Sequence, residues 1–227
     1  MPPLRHFKHE AIWCYSHFNL GVLTSASPQT TEGPYYIDAD DEAGRRADIA
    51  EGRPGVPLRL RITVLGAAQG KPVPVPGATV EVWHCDALGY HSGHLAHDPD
   101  TLPTVNDSGH VPPSDGSRFL RGAQPTGVDG VAEFGTIYPG WYFTRSVHIH
   151  TKVHVEGHEV YTGQLHLPPG GVQQGHRGVP ALQPAHHAAT TPQQGRRAPL
   201  GAQRSSFQGR IFLRIGNYLH PPSNYGR

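Results

Sequence analysis

GVAEFGTIYPGWYFTRSVHIHTKVHVEGHEVYTGQLHL, residues 130 to 167, decides the fold. Three runs inside it, GVAEFGTI, VHIHTKVHV and HEVYTGQLHL, are short, rich in strand-forming residues and separated by turn residues, with Gly157 at the tight turn between the last two. A strand shows alternate side chains on one face. His148 and His150 therefore project together from VHIHTKVHV, while Ile149 points the other way. Pro139 and Gly140 form a turn that can swing Tyr142 back toward the same face. A phenol, two imidazoles and the guanidinium of Arg145 then surround one space.

Working outward, PLRLRITVLG places Leu58, Leu60, Ile62 and Val64 on one face and Arg59, Arg61 and Thr63 on the other, the pattern of a half-buried strand. In TVEVWHC, Val80, Val82 and Trp83 suit the core of a sandwich. GKPVPVPGA reads as a Pro- and Gly-rich turn, and TTEGPYYID as a loop over a hydrophobic edge. Leu95 to Ser117 is too polar to bury and reads as a surface excursion. Short strands between turn signals, with no helical period of useful length, give an all-β chain: a β-sandwich with long loops and a largely irregular C-terminal tail.

Residues 1–27 read as a leader with some features of a signal peptide, residues 28–167 as the sandwich, and residues 168–227 as an aberrant, disordered tail. No Asp or Glu occurs from Val160 onward. A shifted reading frame would account for that change of character. Only GRIFLRIG in the tail could pair as a strand.

Composition narrows the function classes. Gly and Pro number 28 and 23 in 227 residues, which favours a turn-rich β domain over long helices. A net charge of +1 gives no support to a nucleic-acid partner, and no apolar run is long enough for a membrane-spanning helix. Cys14 and Cys85 do not make a disulfide framework, and Cys85 reads as a small buried hydrophobe. A cytoplasmic location is favoured over secretion. With 17 histidines, an H-x-H pair alone is weak, and His94, His97, His154, His158, His186 and His187 read as surface residues.

Tyrosine beside two neutral imidazoles favours a trivalent, oxygen-loving metal, and Fe(III) suits it. PGWYFTRSVHIH resembles the P-G-x-Y, R-x-x-H-x-H signature of the intradiol ring-cleavage dioxygenases, the catechol and protocatechuate dioxygenase family. TEGPYY, GATVEVWHCDALG, TGVDGVAEFGTIYPG and YTGQL extend the resemblance in the family's order over roughly residues 30 to 167. It implies iron(III) held by two tyrosinates and two histidines on a β-sandwich. The substrates would be a small aromatic diol and O2, with the ring opened between its hydroxyl-bearing carbons to a muconate-type diacid. By matching position, Tyr142, His148 and His150 correspond to metal ligands, Arg145 to an arginine that stabilises negative charge on the substrate, and Gln164 to a glutamine of the pocket wall.

The sequence departs from the pattern at the first tyrosine. Counting W-x5-G-x-Y from Trp83 puts His91 at the ligand position, with Tyr90 one residue early. Either His91 serves, or Tyr90 reaches the metal through a local bulge. The competing readings are a non-enzymatic prealbumin-like or carboxypeptidase-regulatory-like sandwich, or an inactive member of the dioxygenase family. A zinc hydrolase would want a carboxylate base near the histidine pair, as in H-E-x-x-H, and none stands there.

Overall fold

A computed structural model describes residues 11–12, 26–38, 44–69, 71–167 and 207–214. Among the described residues nine strands run in chain order: β1 Ala11–Ile12, β2 Pro57–Ala68, β3 Lys71–Pro74, β4 Thr79–Trp83, β5 Arg121–Pro125, β6 Val131–Ile137, β7 His148–Val155, β8 His158–His166 and β9 Phe207–Arg214. They form two sheets, and the fold is all-β as expected.

The long β2 centres the first sheet. It pairs antiparallel with β6 over its first half, Pro57↔Ile137 to Thr63↔Val131, and with β3 beyond, Leu65↔Pro74 to Ala68↔Lys71. It also pairs in parallel with β9, which carries β1 on its far side. In the second sheet β5, β4, β7 and β8 lie side by side, all antiparallel.

One core joins the inner faces of the two sheets. Leu58, Leu60, Ile62 and Val64 from β2 and Phe134 from β6 meet Val80 and Val82 from β4, Ile149 and Val153 from β7, and Leu165 from β8. Each such side chain contributes about 2 kcal/mol by leaving water. The alternation in PLRLRITVLG thus puts its aliphatic residues inside, as its pattern requires.

Four details differ from the sequence expectations or go beyond them. GKPVPVPGA is not only a turn, because Lys71–Pro74 pairs as an edge strand, where a proline's missing N–H costs no ladder bond. RGAQP forms β5 without any alternation, because it is the partner of β4 and its Gly122 packs under Ile49. Trp83 does not join the core beside Val82, since consecutive strand residues face opposite ways; it lies on the outer face against Tyr36. His94, expected at the surface, is 2 % exposed and packs its ring against Tyr35.

The GRIFLRIG segment does pair, as part of β9. The rest of the tail, with its expected change of frame, and the leader beyond Ala11–Ile12 and residues 26–27 lie outside the described residues, as do His186 and His187.

His84 follows β4 and ties the two sheets together. Its ring is buried, with Nε2 2.8 Å from Thr136 Oγ1 on β6 and Nδ1 donating to the Cys85 carbonyl at 2.7 Å. Burial drives its imidazole from 6.5 down to about 4. The unfolded chain therefore takes up a proton below about pH 6.5 that the folded chain refuses until about pH 4. The stability this supplies is complete above pH 6.5 and is lost as pH falls through that window. Urea midpoints of the metal-free protein should fall between pH 7 and pH 5 with an unchanged slope, and His84→Gln should flatten that fall.

Candidate functional site

Strand register builds the site on the outer face of the β5-β4-β7-β8 sheet. Arg121, Trp83, His150 and Gln164 stand opposite one another across the four strands, so their side chains share that face. On β7, His148 lies one alternation from His150, and Lys152 one alternation beyond. Ile149 and Val153 point into the core.

Tyr142 returns to the same face from the Pro139–Gly140 turn. The Gly140 N–H donates to the Asp86 carbonyl at 2.9 Å, and a Cβ on Gly140 would stand 2.5 Å from the Ala87 carbonyl oxygen. Only glycine lets the turn come this close. Tyr142 Oη thereby reaches 3.2 Å from His148 Nε2, which is itself 2.9 Å from His150 Nε2.

Each ring is held from behind. His148 Nδ1 donates to the Ser146 carbonyl at 2.6 Å, so its Nε2 presents a lone pair toward Tyr142 and His150. His150 stacks on Trp83, with centroids 4.9 Å apart and planes 10° from parallel. Arg145 donates to Gln164 Oε1, and Gln164 Nε2 donates to the Thr31 carbonyl at 2.9 Å. Gly33, at φ +76°, rests against His150, where a Cβ would be 3.1 Å from Cε1.

Between the two alternatives for the remaining position, the rings lie differently. His91 is buried, stacked on Tyr35 at 4.1 Å and edge-on to Tyr142 at 4.9 Å, and its Nε2 has no hydrogen-bond partner. Tyr90 is half-buried, with its N–H bonded to Asp86 Oδ1 at 3.0 Å and its carbonyl to the Asp86 N–H at 2.8 Å. Of the two, His91 is the one whose ring meets Tyr142.

Burial governs the protonation of the site. It raises the Tyr142 phenol above its ordinary value, against the opposite pull of Arg145. It lowers His148 to about 4 and holds His150 and His91 well below the ordinary imidazole range, with His148 the next influence on His150 and Arg121 on His91. At neutral pH these imidazoles are uncharged and offer lone pairs. Among the described residues no three His, Cys, Asp or Glu side chains gather to hold a metal by themselves. The third converging donor here is the Tyr142 oxygen.

That donor set fits ferric iron: two neutral imidazole nitrogens and one phenol oxygen, with the buried His91 ring edge-on to Tyr142 at 4.9 Å and its Nε2 unpartnered. Tyr142, Arg145, His148, His150, Gln164 and His91 thus gather, and Tyr90 stands aside. Sequence reasoning misses the stacking role of Trp83, which it assigns to the core, and the contribution of Gly33 and Tyr35, which it assigns to loop cover. The strand alternation that separates Trp83 from Val82 is the available signal for the first.

A family described as Dioxygenase matches residues 31–171. Catechol 1,2-dioxygenase of Pseudomonas sp. (strain EST1001) is 31 % identical over 151 residues, 63 % of this chain and 48 % of that protein. Catechol 1,2-dioxygenase 1 of Acinetobacter lwoffii is 34 % identical over 122 residues, 53 % of this chain and 33 % of that protein. An intradiol ring-cleavage dioxygenase from Tetranychus urticae superposes with a TM-score of 0.65 at 27 % identity, covering 87 % of this chain and 98 % of that one. The chain spans about half or less of the length of these two curated relatives. With the fold, the Tyr142–His148–His150 geometry and the matched span in agreement, the chain belongs to the intradiol ring-cleavage dioxygenase family.

Proposed function

We propose that this chain is a non-haem iron(III) dioxygenase that takes a small aromatic diol and O2 and opens the ring between the two hydroxyl-bearing carbons, giving a muconate-type diacid. The convergence on His148 Nε2 of Tyr142 Oη at 3.2 Å and His150 Nε2 at 2.9 Å carries the reading. Tyr142, His148 and His150 would hold the metal, with His91 in the fourth protein position. When bound, ferric iron supplies a Lewis-acidic centre that draws electron density from a catecholate. Both atoms of O2 enter the product, so no external reductant is needed.

The chain's own groups have definite tasks. Tyr142, whose phenol burial keeps protonated in the metal-free protein, gives up that proton when it becomes a ligand. Its oxygen is then a base within 3.2 Å of His148 Nε2, able to take a proton back from an incoming diol. Arg145, held by Gln164, presents a fixed cation to the negative charge that develops on the ring. Trp83 and Gly33 confine His150 from two sides and keep its lone pair directed.

Having His91 where the family carries a tyrosine gives one tyrosinate in place of two. A phenolate is an anionic donor and an imidazole a neutral one, so the centre should be more weakly coloured and have a higher reduction potential.

Purified protein loaded with iron should hold one ferric ion and show a visible tyrosinate-to-iron band that moves on adding catechol. Protein that stays colourless and takes up no iron would defeat the assignment. Tyr142→Phe should abolish that band and lower kcat/KM by at least about a hundredfold. His91→Tyr should intensify the band, whereas Tyr90→Phe should leave it unchanged; a band weakened in Tyr90→Phe, unchanged in His91→Ala and still present in Tyr142→Phe would assign the fourth position to Tyr90.

A further inference from the structure

We propose that Glu32 is a positioning residue whose carboxylate staples residues 28–36 onto the outer face of the sheet and thereby fixes His150 and Arg145 in the site. The consequence for catalysis rests on the dioxygenase reading; the staple itself does not.

Glu32 joins three parts of the chain. One carboxylate oxygen lies 2.6 Å from Lys152 Nζ on β7, and the other lies 2.6 Å from His110 Nε2 in the long excursion. Lys152 is almost buried, its side chain 8 % exposed, and its ammonium also sits 4.0 Å over the Tyr36 ring. The staple therefore closes on the strand that carries His148 and His150, one alternation beyond His150.

The neighbours of Glu32 in sequence touch the site. Thr31 accepts a hydrogen bond from Gln164, which holds Arg145, and Gly33 lies against the His150 ring. A shift of Glu32 moves both contacts. The segment is also anchored by Tyr35, buried and stacked on His91 at 4.1 Å, by Tyr36, which packs on Trp83 and donates to Glu81 Oε2 at 3.2 Å, and by hydrogen bonds from the Thr30 N–H to the Thr162 carbonyl at 3.0 Å, from Tyr161 Oη to the Pro28 carbonyl at 3.3 Å and from the Val111 N–H to the Pro34 carbonyl at 2.9 Å. Between these anchors, the Glu32–Lys152 contact is the one that pairs two full charges.

A second carboxylate makes the role separable from general stability. Glu159 on β8 lies 3.0 Å from the same Lys152 ammonium. Removing either acid leaves Lys152 with one partner, so neither change strands an unpaired buried cation. Glu32→Gln and Glu159→Gln thus alter charge equally, but only the first releases residues 28–36.

The test compares the full-length wild type with these two variants. In metal-free protein, amide hydrogen exchange of residues 30–36 and of Val111 should be about tenfold faster in Glu32→Gln and at the wild-type rate in Glu159→Gln. In iron-loaded protein, Glu32→Gln should shift the visible band and raise KM for catechol about tenfold with a smaller change in kcat, whereas Glu159→Gln should do neither. Equal exchange in the two variants overturns the staple, and a faster exchange in Glu32→Gln that leaves band and KM unmoved overturns the positioning role. If the wild type takes up no iron, the dioxygenase reading falls, and the exchange measurement on metal-free protein still decides the staple.

Discussion

Pairing of β7 in fixed register between β4 and β8 is the constraint on which everything else depends. Because side chains alternate with period two, a slip of one residue would send Ile149 into the site and both imidazoles into the core. The core forbids that slip. Ile149 and Val153 are fully buried between Val80 and Val82 on the same sheet and the aliphatic face of β2. The irregularity in the β7–β8 ladder falls between Val153 and His154, past the site, so His148, His150 and Lys152 keep their register. Core packing on one face therefore sets the geometry of His148 and His150 on the other.

The outer face is expensive to build. Arg121 is buried among Ser92, Trp83 and the histidines, and burial lowers even its guanidinium to about 9. Its Nη1, His91 Nε2 and His150 Nδ1 have no hydrogen-bond partner. Unpaired buried polar atoms cost about 1–3 kcal/mol each. The sandwich core offsets this locally unstable layer, and a bound cation that prefers the folded state would offset more of it. Burial keeps these imidazoles neutral and the Tyr142 phenol protonated.

Much of this is legible from local pattern. Alternation in VHIHTKVHV determines which residues face together, and the Pro139–Gly140 turn implies the return of Tyr142. What local pattern does not show depends on partners distant in sequence. RGAQP has no strand signal of its own and becomes β5 only because β4 needs a neighbour. His94 is buried because Tyr35, some sixty residues earlier, folds over it. TTEGPYYID reads as a loop over a hydrophobic edge, and its ion-pair anchor appears only when Lys152 and His110 are placed beside Glu32. Trp83 is different, since the alternation that excludes it from the core is already in the sequence.

The exchange of a tyrosine for His91 changes the charge of the proposed centre. Two tyrosinates on a trivalent ion leave one net positive charge; one tyrosinate leaves two. In a dry site that difference is worth more than in water, and Arg121 adds a further cation to the field at His91. Stacking on Tyr35, with planes 14° from parallel, holds the His91 ring edge-on to Tyr142. Packing thus fixes the orientation of the His91 ring. In the proposed centre, the substitution would therefore act on electronics, through donor charge, rather than on the shape of the seat.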